Sequence, residues 1–321
     1  MKKVEKKLHR LKSNQLLRDL CSETSFSLSH FVQPIFINQS VSKKQEIIGL
    51  KDNFVLSIDD SIKQIDDDIN NGVKNFLLFI SPNKKGSNSF NLDFHQKAIS
   101  SIKERFKNDI NLWTDVCLCS LTEHGHCCLF DENKAIDNKN TLKEISRIAL
   151  SYVEAGSDIV APSDMMDGRT LSIRKILDKE KFLMKPIISY STKFSSNFYG
   201  PFRDAAASAP SFGDRKQYQL DYRSESEAIR ASIRCAEEGA DMLMVKPGIT
   251  SIDLIDKIKK KTNLMVGSYQ VSGEFAGLCL SEEKGLLDLN ESLKETWHVM
   301  RRAGAQYIIT YGARLAKEIG F

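Results

Sequence analysis

The stretch Asp241-Met-Leu-Met-Val-Lys-Pro-Gly248 decides the fold, because it carries a short apolar run that ends in a lysine, a proline and a glycine. Four apolar residues between an acidic residue and a loop are typical of a buried parallel strand. Lys246 stands at the end of this strand, where partial loss of water penalises the ammonium form and lowers its pKa. A neutral lysine amine is the nucleophile that forms a Schiff base with a carbonyl substrate. The alternative is a lysine whose stem packs on the sheet while its amine reaches solvent.

Composition limits the classes of protein that the chain can represent. Its 321 residues are 41% hydrophobic, enough for one large barrel domain or for two smaller domains. The 46 basic and 42 acidic residues leave a net charge of +4, which is too small to favour nucleic acid as a partner. No apolar run of signal-peptide or membrane-spanning length follows the basic N-terminus, and seven clustered cysteines suit a reducing compartment. We therefore expect a soluble cytoplasmic protein with no membrane partner.

Helix and strand patterns alternate along the chain. A first strand at residues 31–37 precedes a polar loop at residues 38–53, and seven pairs of a helix and a strand follow. Eight strands that alternate with helices predict an α/β fold of the (β/α)8 TIM barrel type, although an open doubly wound sheet has the same order of elements. The predicted helices cover residues 59–71, 93–106, 142–155, 169–177, 224–238, 251–261 and 291–303, and the paired strands cover 76–80, 112–118, 158–161, 186–190, 242–245, 264–269 and 306–311.

The first 25 residues differ from the rest of the chain, because they form a charged amphipathic segment ahead of the first strand. Such a segment suits an extended N-terminal arm that packs on another subunit, and a solvated terminus has the same pattern. We predict two parts: an oligomerisation arm at residues 1–25 and a TIM-barrel catalytic domain at residues 26–321.

Polar side chains stand at the ends of the predicted strands, which in a TIM barrel meet on the face that holds active sites. Lys193 follows the strand next to that of Lys246, and two neighbouring ammonium groups lower the pKa of at least one of them. This pairing makes Lys193 a catalytic candidate, whereas alone it would be interpreted as a surface lysine. The other candidates at strand ends are Asp115, Ser163, Tyr190, Tyr269, Ser272 and Tyr311.

The segment that follows Lys193 is long and contains a run of small residues at 205–210. Segments of this length in a barrel commonly serve as lids over the active site. Arg203 and Arg215 flank the run, and two guanidinium groups can hold a carboxylate through paired N–H groups. Two solvated loop arginines are the simpler interpretation of either residue alone.

A group of cysteines gives a second chemical signal. Cys117 and Cys119 alternate at a predicted strand end, and the loop that follows can return Cys127 to meet them. Three thiolates leave a fourth position of a zinc ion open, as catalytic sites do, while buried free thiols are the alternative. His124 and His126 are either further ligands or residues that orient the loop.

Five motifs taken together resemble the porphobilinogen synthase family, also called δ-aminolevulinate dehydratase, from about His9 to Lys317. Their number and order make the resemblance specific, because any one of them alone would carry little weight. The motifs are Met244-Val-Lys-Pro-Gly248, Tyr269-Gln-Val-Ser-Gly-Glu274, Ser189-Tyr-Ser-Thr-Lys193 with Phe198-Tyr-Gly-Pro-Phe-Arg-Asp204, Ala161-Pro-Ser-Asp-Met-Met-Asp-Gly-Arg169, and Asp115-Val-Cys-Leu-Cys119 with His124-Gly-His-Cys127.

The resemblance implies an enzyme of tetrapyrrole synthesis that condenses two molecules of 5-aminolevulinate into porphobilinogen with loss of two waters. It implies that Lys246 and Lys193 each form a Schiff base with one substrate. It also implies a homo-octamer assembled through N-terminal arms, and a catalytic zinc on Cys117, Cys119 and Cys127. The resemblance assigns one substrate carboxylate to Arg203, Arg215 and Gln219, the other to Ser272 and Tyr311, and the lining of the site to Asp115, Ser163 and Tyr199.

The chain departs from the family pattern at three places. Ala231 stands where members that bind an allosteric magnesium tend to carry a glutamate, which weakens the expectation of magnesium. The region 45–60 lacks the short Met-Pro-Gly turn usual there, and Cys128 adds a thiol where glycine is common. Two rival functions remain: an aldolase-like Schiff-base lyase, which needs neither the cysteines nor Lys193, and a zinc or thiol sensor, which leaves the lysines unused.

Overall fold

Eight parallel strands form a nearly closed barrel in the computed structural model, which describes residues 10–321. With the exception of the fourth and fifth strands, each strand pairs with the next one along the chain, and the last pairs with the first. Between the fourth and fifth strands, a bridge from Val160 to Ile187 brings the two edges together. This order confirms the TIM barrel and excludes the open sheet. The strands are β1 (Phe31–Asn38), β2 (Asn75–Ser81), β3 (Asn111–Val116), β4 (Ile159–Pro162), β5 (Ile188–Lys193), β6 (Met242–Lys246), β7 (Met265–Tyr269) and β8 (Ile308–Ile309).

Helices connect the strands and cover the barrel. Residues 1–9 of the predicted arm lie outside the described range, and the described part of the arm contains one short α-helix and a 3-10 turn. Within residues 10–321, no helix has both the length and the apolar character needed to cross a membrane. The helices are α1 (Gln15–Leu20), α2 (Ile58–Asn70), α3 (Asp93–Phe106), α4 (Asn138–Glu154), α5 (Arg169–Lys179), α6 (Gly200–Ala205), α7 (Glu225–Glu237), α8 (Ile255–Thr262), α9 (Ser272–Glu283), α10 (Leu289–Arg302) and α11 (Ala316–Ile319).

The core follows from strands that are buried on both faces. Every residue of β2 and β5 is buried, as expected for parallel strands covered by helices outside and by side chains inside the barrel. Tyr307 crosses the barrel interior and donates a hydrogen bond to the carbonyl of Leu243 over 2.8 Å. A Cβ on Gly267 would lie 2.1 Å from the Tyr307 ring, so only glycine leaves room for this crossing.

The joints that follow α4 and α7 have similar sequences, Gly156-Ser-Asp158 and Gly239-Ala-Asp241. Gly156 and Gly239 follow the last turns of α4 and α7 with φ of +110° and +96°. Glycine adopts this left-handed conformation without a steric penalty, so it ends the helix and lets the chain enter the next strand.

Some predicted boundaries were wrong, and two of them concern the site. Strand β3 ends at Val116, so the cysteines at 117 and 119 lie in the loop beyond it. Strand β5 extends to Lys193, which therefore belongs to the strand. Helix α9 was not predicted, because two glycines in Ser272–Glu283 reduce its helix propensity. The predicted loop at residues 38–53 contains Gln45–Glu46, which pairs antiparallel with Phe54–Leu56.

Candidate active site

Two lysines stand side by side at the C-terminal face of the barrel. Lys193 is the last residue of β5 and Lys246 is the last residue of β6, and the two are register partners in the parallel pairing of these strands. The exposed fractions of their side chains are only 6% and 4%, so the solvated lysine that was the alternative for Lys246 is wrong. We call these two residues the lysine pair.

Aromatic rings surround the amine of Lys246. Its Nζ lies 4.0 Å from the centroid of the Tyr269 ring, 5.0 Å from that of Phe202 and 5.2 Å from that of Tyr190. Burial lowers the pKa of Lys246 well below its ordinary value, and the charge of Lys193 lowers it further. Lys246 therefore supplies a neutral amine more readily than a solvated lysine does.

The amine of Lys193 donates a hydrogen bond of 2.5 Å to the carbonyl oxygen of Ser163, which follows β4. Asp115, on β3, faces the same space. Burial raises the pKa of Asp115 to about 6, although the charge of Lys193 and a hydrogen bond from Ser163 act to lower it. The Asp115 atom Oδ1 has no hydrogen-bond partner among the described residues. A carboxyl group with this pKa can hold or release a proton beside the lysine pair.

Three cysteines meet next to the lysine pair. The Sγ atoms of Cys117, Cys119 and Cys127 all lie within 4.8 Å of one another, and all three side chains are buried. We call these residues the cysteine cluster. In the described part of the chain, it is the one group of three metal-binding side chains whose ligand atoms come so close together. Three thiols at this separation match the donor set of a zinc site with one open position.

The cysteine cluster also favours one thiolate. Hydrogen bonds from the thiols of Cys117 and Cys119 lower the pKa of Cys127 well below its ordinary value, and the charge of Arg215 adds to this effect. The pKa of Cys117 is raised, with burial as the first cause. Because a thiolate is the form that binds metals, these residues fit a metal ion.

The ring nitrogens of the two loop histidines are largely occupied by hydrogen bonds within the protein. The ring nitrogens of His126 are hydrogen-bonded to the Tyr218 hydroxyl over 3.0 Å and to the Phe212 carbonyl over 2.9 Å. His124 accepts a hydrogen bond from the His126 backbone N–H. Cys128 is buried, but its thiol lies outside the group of three. The structure therefore favours the orienting role that the sequence left open for the histidines.

The segment between β5 and α7 closes over the site as a lid. The Phe202 N–H donates a hydrogen bond of 3.1 Å to the Ser272 hydroxyl at the start of α9. On the other side, the Ser81 hydroxyl donates to the carbonyl of Ala206 over 3.0 Å. The Phe202 ring packs edge-on against Phe79 with 4.9 Å between the ring centroids. These contacts place the apolar ring of Phe202 next to the amine of Lys246.

The three polar lid residues predicted from the sequence differ in their surroundings. Arg215 is buried and donates to the carbonyls of Gly125 and Ser208. Burial acts to lower its pKa, but the nearby thiolate of Cys127 raises it above its ordinary value. Arg203 is half-buried, 6.0 Å from the Tyr199 ring. The amide nitrogen and oxygen of Gln219 are both buried and have no hydrogen-bond partner among residues 10–321.

Two further predicted residues, Tyr311 and Tyr199, are buried near Lys246. The hydroxyls of Tyr311 and Tyr269 lie 3.2 Å apart. Tyr199 is buried and donates to the Phe194 carbonyl over 2.8 Å. The structure thus brings Lys246 together with strand-end residues from around the barrel, as the sequence predicted. It adds Phe202, whose ring contact with Lys246 no local pattern in the sequence indicates.

Comparison with known proteins gives a consistent result. The family model described as delta-aminolevulinic acid dehydratase matches residues 5–319. The chain is 43% identical to the delta-aminolevulinic acid dehydratase of Helicobacter pylori over 314 residues, which cover 96% of this chain and 97% of that protein. It is 38% identical to the protein of the same name from Bacillus subtilis, with 96% of each chain covered.

A solved structure is similar over almost the whole chain. It is the delta-aminolevulinic acid dehydratase (porphobilinogen synthase) from Toxoplasma gondii ME49 in complex with the reaction product porphobilinogen. The two chains superimpose with a TM-score of 0.94 at 36% sequence identity, and the match covers 98% of this chain and 91% of the other.

Proposed function

The chain belongs to the delta-aminolevulinic acid dehydratase family, and we propose that this enzyme condenses two molecules of 5-aminolevulinate into one porphobilinogen with loss of two waters. The observation that carries the proposal is the lysine pair, because two buried amines stand at matching positions on paired strands. Each amine can form a Schiff base with the ketone of one substrate. Two such amines suit a reaction that joins two identical keto acids.

The chemistry begins with the neutral amine of Lys246. It attacks the ketone carbon of one substrate, and loss of water leaves an iminium ion. Lys193 does the same with the second substrate, so the two Schiff bases account for both waters. An iminium draws electrons from the neighbouring carbon, which can then lose a proton and attack the other iminium carbon. The substrate amino group replaces one lysine, an elimination frees the other, and the enzyme returns to its starting state.

Asp115 supplies a proton acceptor for these steps. Its carboxyl group lies near both amines, and its raised pKa of about 6 leaves it mostly ionised at neutral pH while still able to accept a proton. Phe202 and the other rings around Lys246 exclude water, which protects an iminium from hydrolysis before the second substrate reacts.

Two sets of polar residues would hold the substrate carboxylates. On the lid, Arg203 and Arg215 provide guanidinium groups, and the unpartnered amide of Gln219 provides an N–H for the same carboxylate. The hydroxyls of Ser272 and Tyr311 would hold the carboxylate of the second substrate. Asp115, Ser163 and Tyr199 line the space between the two substrates. The orphaned amide of Gln219 is the best support for this assignment, because a buried polar group without a partner is costly.

Cys117, Cys119 and Cys127 would hold a zinc ion. The support is the separation of their three sulfurs, their burial and the low pKa of Cys127. When bound, zinc supplies a Lewis acid with a fourth position open to water or substrate. Ala231 on α7 offers no side-chain ligand atom, so we propose no magnesium ligand at this position. The seven cysteines are all free, which supports the cytoplasm as the compartment.

Residues 1–25 would form an arm that joins copies of the chain into a homo-octamer, while residues 26–321 form the catalytic barrel. The support is the exposure of Leu11, Leu16 and Leu20, at 59%, 81% and 80%, with no buried residue in α1. We expect removal of residues 1–25 to lower the mass of the assembly in light scattering. An unchanged mass would contradict this role for the arm.

The test of the proposed reaction is formation of porphobilinogen from 5-aminolevulinate by the purified protein. The assay is run as purified, after chelation, and after zinc is returned to the chelated sample. We expect product that disappears on chelation and returns with zinc. No product from folded protein in any sample would overturn the reaction, and full activity of protein shown to be metal-free would overturn the role of zinc.

A further inference from the structure

Glu274 is a buried carboxylate that the proposed chemistry does not use. It lies in the first turn of α9, and 8% of its side chain is exposed. Its Oε1 accepts hydrogen bonds from the backbone N–H groups of Ile249 over 2.8 Å and Thr250 over 3.3 Å. Its Oε2 accepts from Val271 over 2.8 Å and Gly248 over 3.3 Å. One side chain thus satisfies four amide groups.

These four amides belong to two different loops. Gly248, Ile249 and Thr250 lie in the loop that directly follows Lys246, and Val271 lies in the turn between β7 and α9. The residue after Val271 is Ser272. Glu274 therefore connects the loop that holds one end of the Lys246 strand to the turn that presents the Ser272 hydroxyl.

Close packing shows that this junction has little freedom. A Cβ added to Gly248 would lie 2.6 Å from the Ser268 hydroxyl and 2.9 Å from the Tyr269 carbonyl, so the loop is pressed against β7. A Cβ added to Gly273 would lie 2.7 Å from the carbonyl of Phe198 in the lid. The loop after Lys246, the strand of Tyr269 and the lid thus meet around Glu274.

The chemistry of the four donors favours an ionised carboxylate. Its two oxygens each accept two N–H groups, which a neutral side chain of the same size cannot do. The amide dipoles at the start of α9 also favour a negative charge there. Burial raises the pKa of Glu274, but the four backbone hydrogen bonds act to lower it.

We infer that Glu274 is a positioning residue, which fixes the Lys246 amine relative to the Ser272 hydroxyl so that both engage the same substrate molecule. The inference rests on the proposed roles of Lys246 and Ser272. Reaction at a bound carbonyl requires the attacking atom within about 3 to 3.5 Å, and a displacement of about 1 Å lowers the rate on the order of 100-fold. The donors to Glu274 lie in the loop after Lys246 and in the turn before α9, and none lies on the Lys193 strand, so its effect belongs to one lysine of the pair.

The inference is tested by trapping each Schiff base with sodium borohydride. Hydride adds to the iminium carbon and leaves a stable secondary amine, which peptide mapping by mass spectrometry assigns to Lys246 or to Lys193. The variants are Glu274→Gln, which keeps the shape but points an NH2 group at two N–H donors, and Glu274→Asp, which keeps the charge on a shorter stem. Thermal unfolding establishes that each variant is folded.

Asp241 provides a matched control, because it lies at the opposite end of β6 from Lys246. The Asp241 carboxylate, just before β6, accepts a hydrogen bond of 2.7 Å from the Ile187 backbone N–H. Like Glu274, Asp241 thus holds a backbone N–H of a neighbouring segment, in this case the residue before β5. Asp241→Asn removes this carboxylate at the end of β6 that is far from the lysine amines. We expect this variant to form both adducts at wild-type rates.

We expect Glu274→Gln to form the Lys246 adduct on the order of 100-fold more slowly than wild type, with the Lys193 adduct changed by less than about twofold. Glu274→Asp should recover part of the loss, since it restores the charge. Wild-type rates at both lysines in Glu274→Gln, or equal losses at both, would overturn the inference. Absence of both adducts in the wild-type enzyme would instead overturn the proposed function, which separates the two failures.

Discussion

The lysine pair and the cysteine cluster lie on the same face of the barrel but are held in place by different means. The lysines belong to strands β5 and β6, and their positions follow from the pairing of those strands. The cysteines lie in the loop beyond β3 and in the return of that loop, and the lid residue Tyr218 packs against them. The proposed lysine chemistry would therefore rest on the barrel strands themselves, whereas the proposed zinc binding would depend on a loop and on the lid.

The lysine pair and the cysteine cluster also differ in what shifts the pKa values of their side chains. In the lysine pair, burial lowers the pKa of Lys246 and leaves a reactive neutral amine without any added group. In the cysteine cluster, Cys127 is stabilised as a thiolate by the thiols of its two neighbours, so the three residues share protons that a metal must displace. Under the proposed function, we therefore expect Schiff-base formation at Lys246 without the metal, and zinc binding that depends on pH and on the lid.

The largest expected effect comes from removing the lysine at the centre of this contrast. Lys246→Ala deletes the amine that we propose forms a Schiff base, and loss of a covalent nucleophile costs on the order of 10⁴- to 10⁶-fold in kcat. The fold should persist, because a buried amine contributes little to a large core. Steady-state turnover and thermal unfolding measure the two effects. Turnover near the wild-type rate in this variant would remove Lys246 from the mechanism.

A smaller loss is expected from the cysteine cluster. Cys119→Ser removes one of three proposed ligands, and we expect zinc content and kcat to fall together by roughly 100-fold, since a metal contributes several kcal/mol to stabilisation of developing charge. Zinc is measured by elemental mass spectrometry. The borohydride adduct at Lys246 should still form, because the lysine pair is intact.

Cys128→Ser is the matched control for this change. Cys128 is adjacent to Cys127 and equally buried, but its thiol lies outside the group of three sulfurs. We expect the variant to keep its zinc and most of its activity. Loss of zinc in Cys128→Ser equal to that in Cys119→Ser would mean that the cysteine cluster has been assigned wrongly.

A substitution in the lid tests whether the cysteine cluster and the lysine pair act independently. The Tyr218 hydroxyl is hydrogen-bonded to His126 and accepts the N–H of Cys127 over 3.4 Å. Tyr218→Phe removes this support, and loss of a group that orients metal ligands costs about 10- to 100-fold in metal affinity. Competition with a zinc chelator measures the affinity. If the rate of Lys246 adduct formation fell as much as the affinity, the two regions would not be independent.

The sequence indicated the barrel and the lysine pair for the same physical reason. Apolar runs that alternate with helical patterns specify parallel strands, and in a barrel the ends of such strands must converge. The eight strands and the meeting of Lys193 with Lys246 needed no knowledge of distant contacts.

The contacts around the site were harder to predict, because they join residues far apart in sequence. Phe202 covers Lys246 only because the lid folds back across the barrel, and Glu274 reaches the loop after Lys246 from another helix. Helix α9 was missed, since its glycines weaken the local signal. The ends of β3 and β5 were misplaced by two or three residues, as is common for boundaries that neighbouring strands decide.

The smallest expected effect concerns the coupling between the two lysines. The charge of Lys193 is the second cause, after burial, that lowers the pKa of Lys246. Only the neutral amine attacks a carbonyl, so the rate of adduct formation falls as pH drops through the pKa of Lys246. Lys193→Met removes the charge, which should raise that pKa and move the acid limb of the Lys246 adduct rate to higher pH. Lys193→Arg keeps a positive charge and should leave the limb closer to wild type. Both variants lack the second Schiff base, so borohydride trapping at Lys246 is the measurement, and identical limbs in the two would show that burial alone sets the pKa of Lys246.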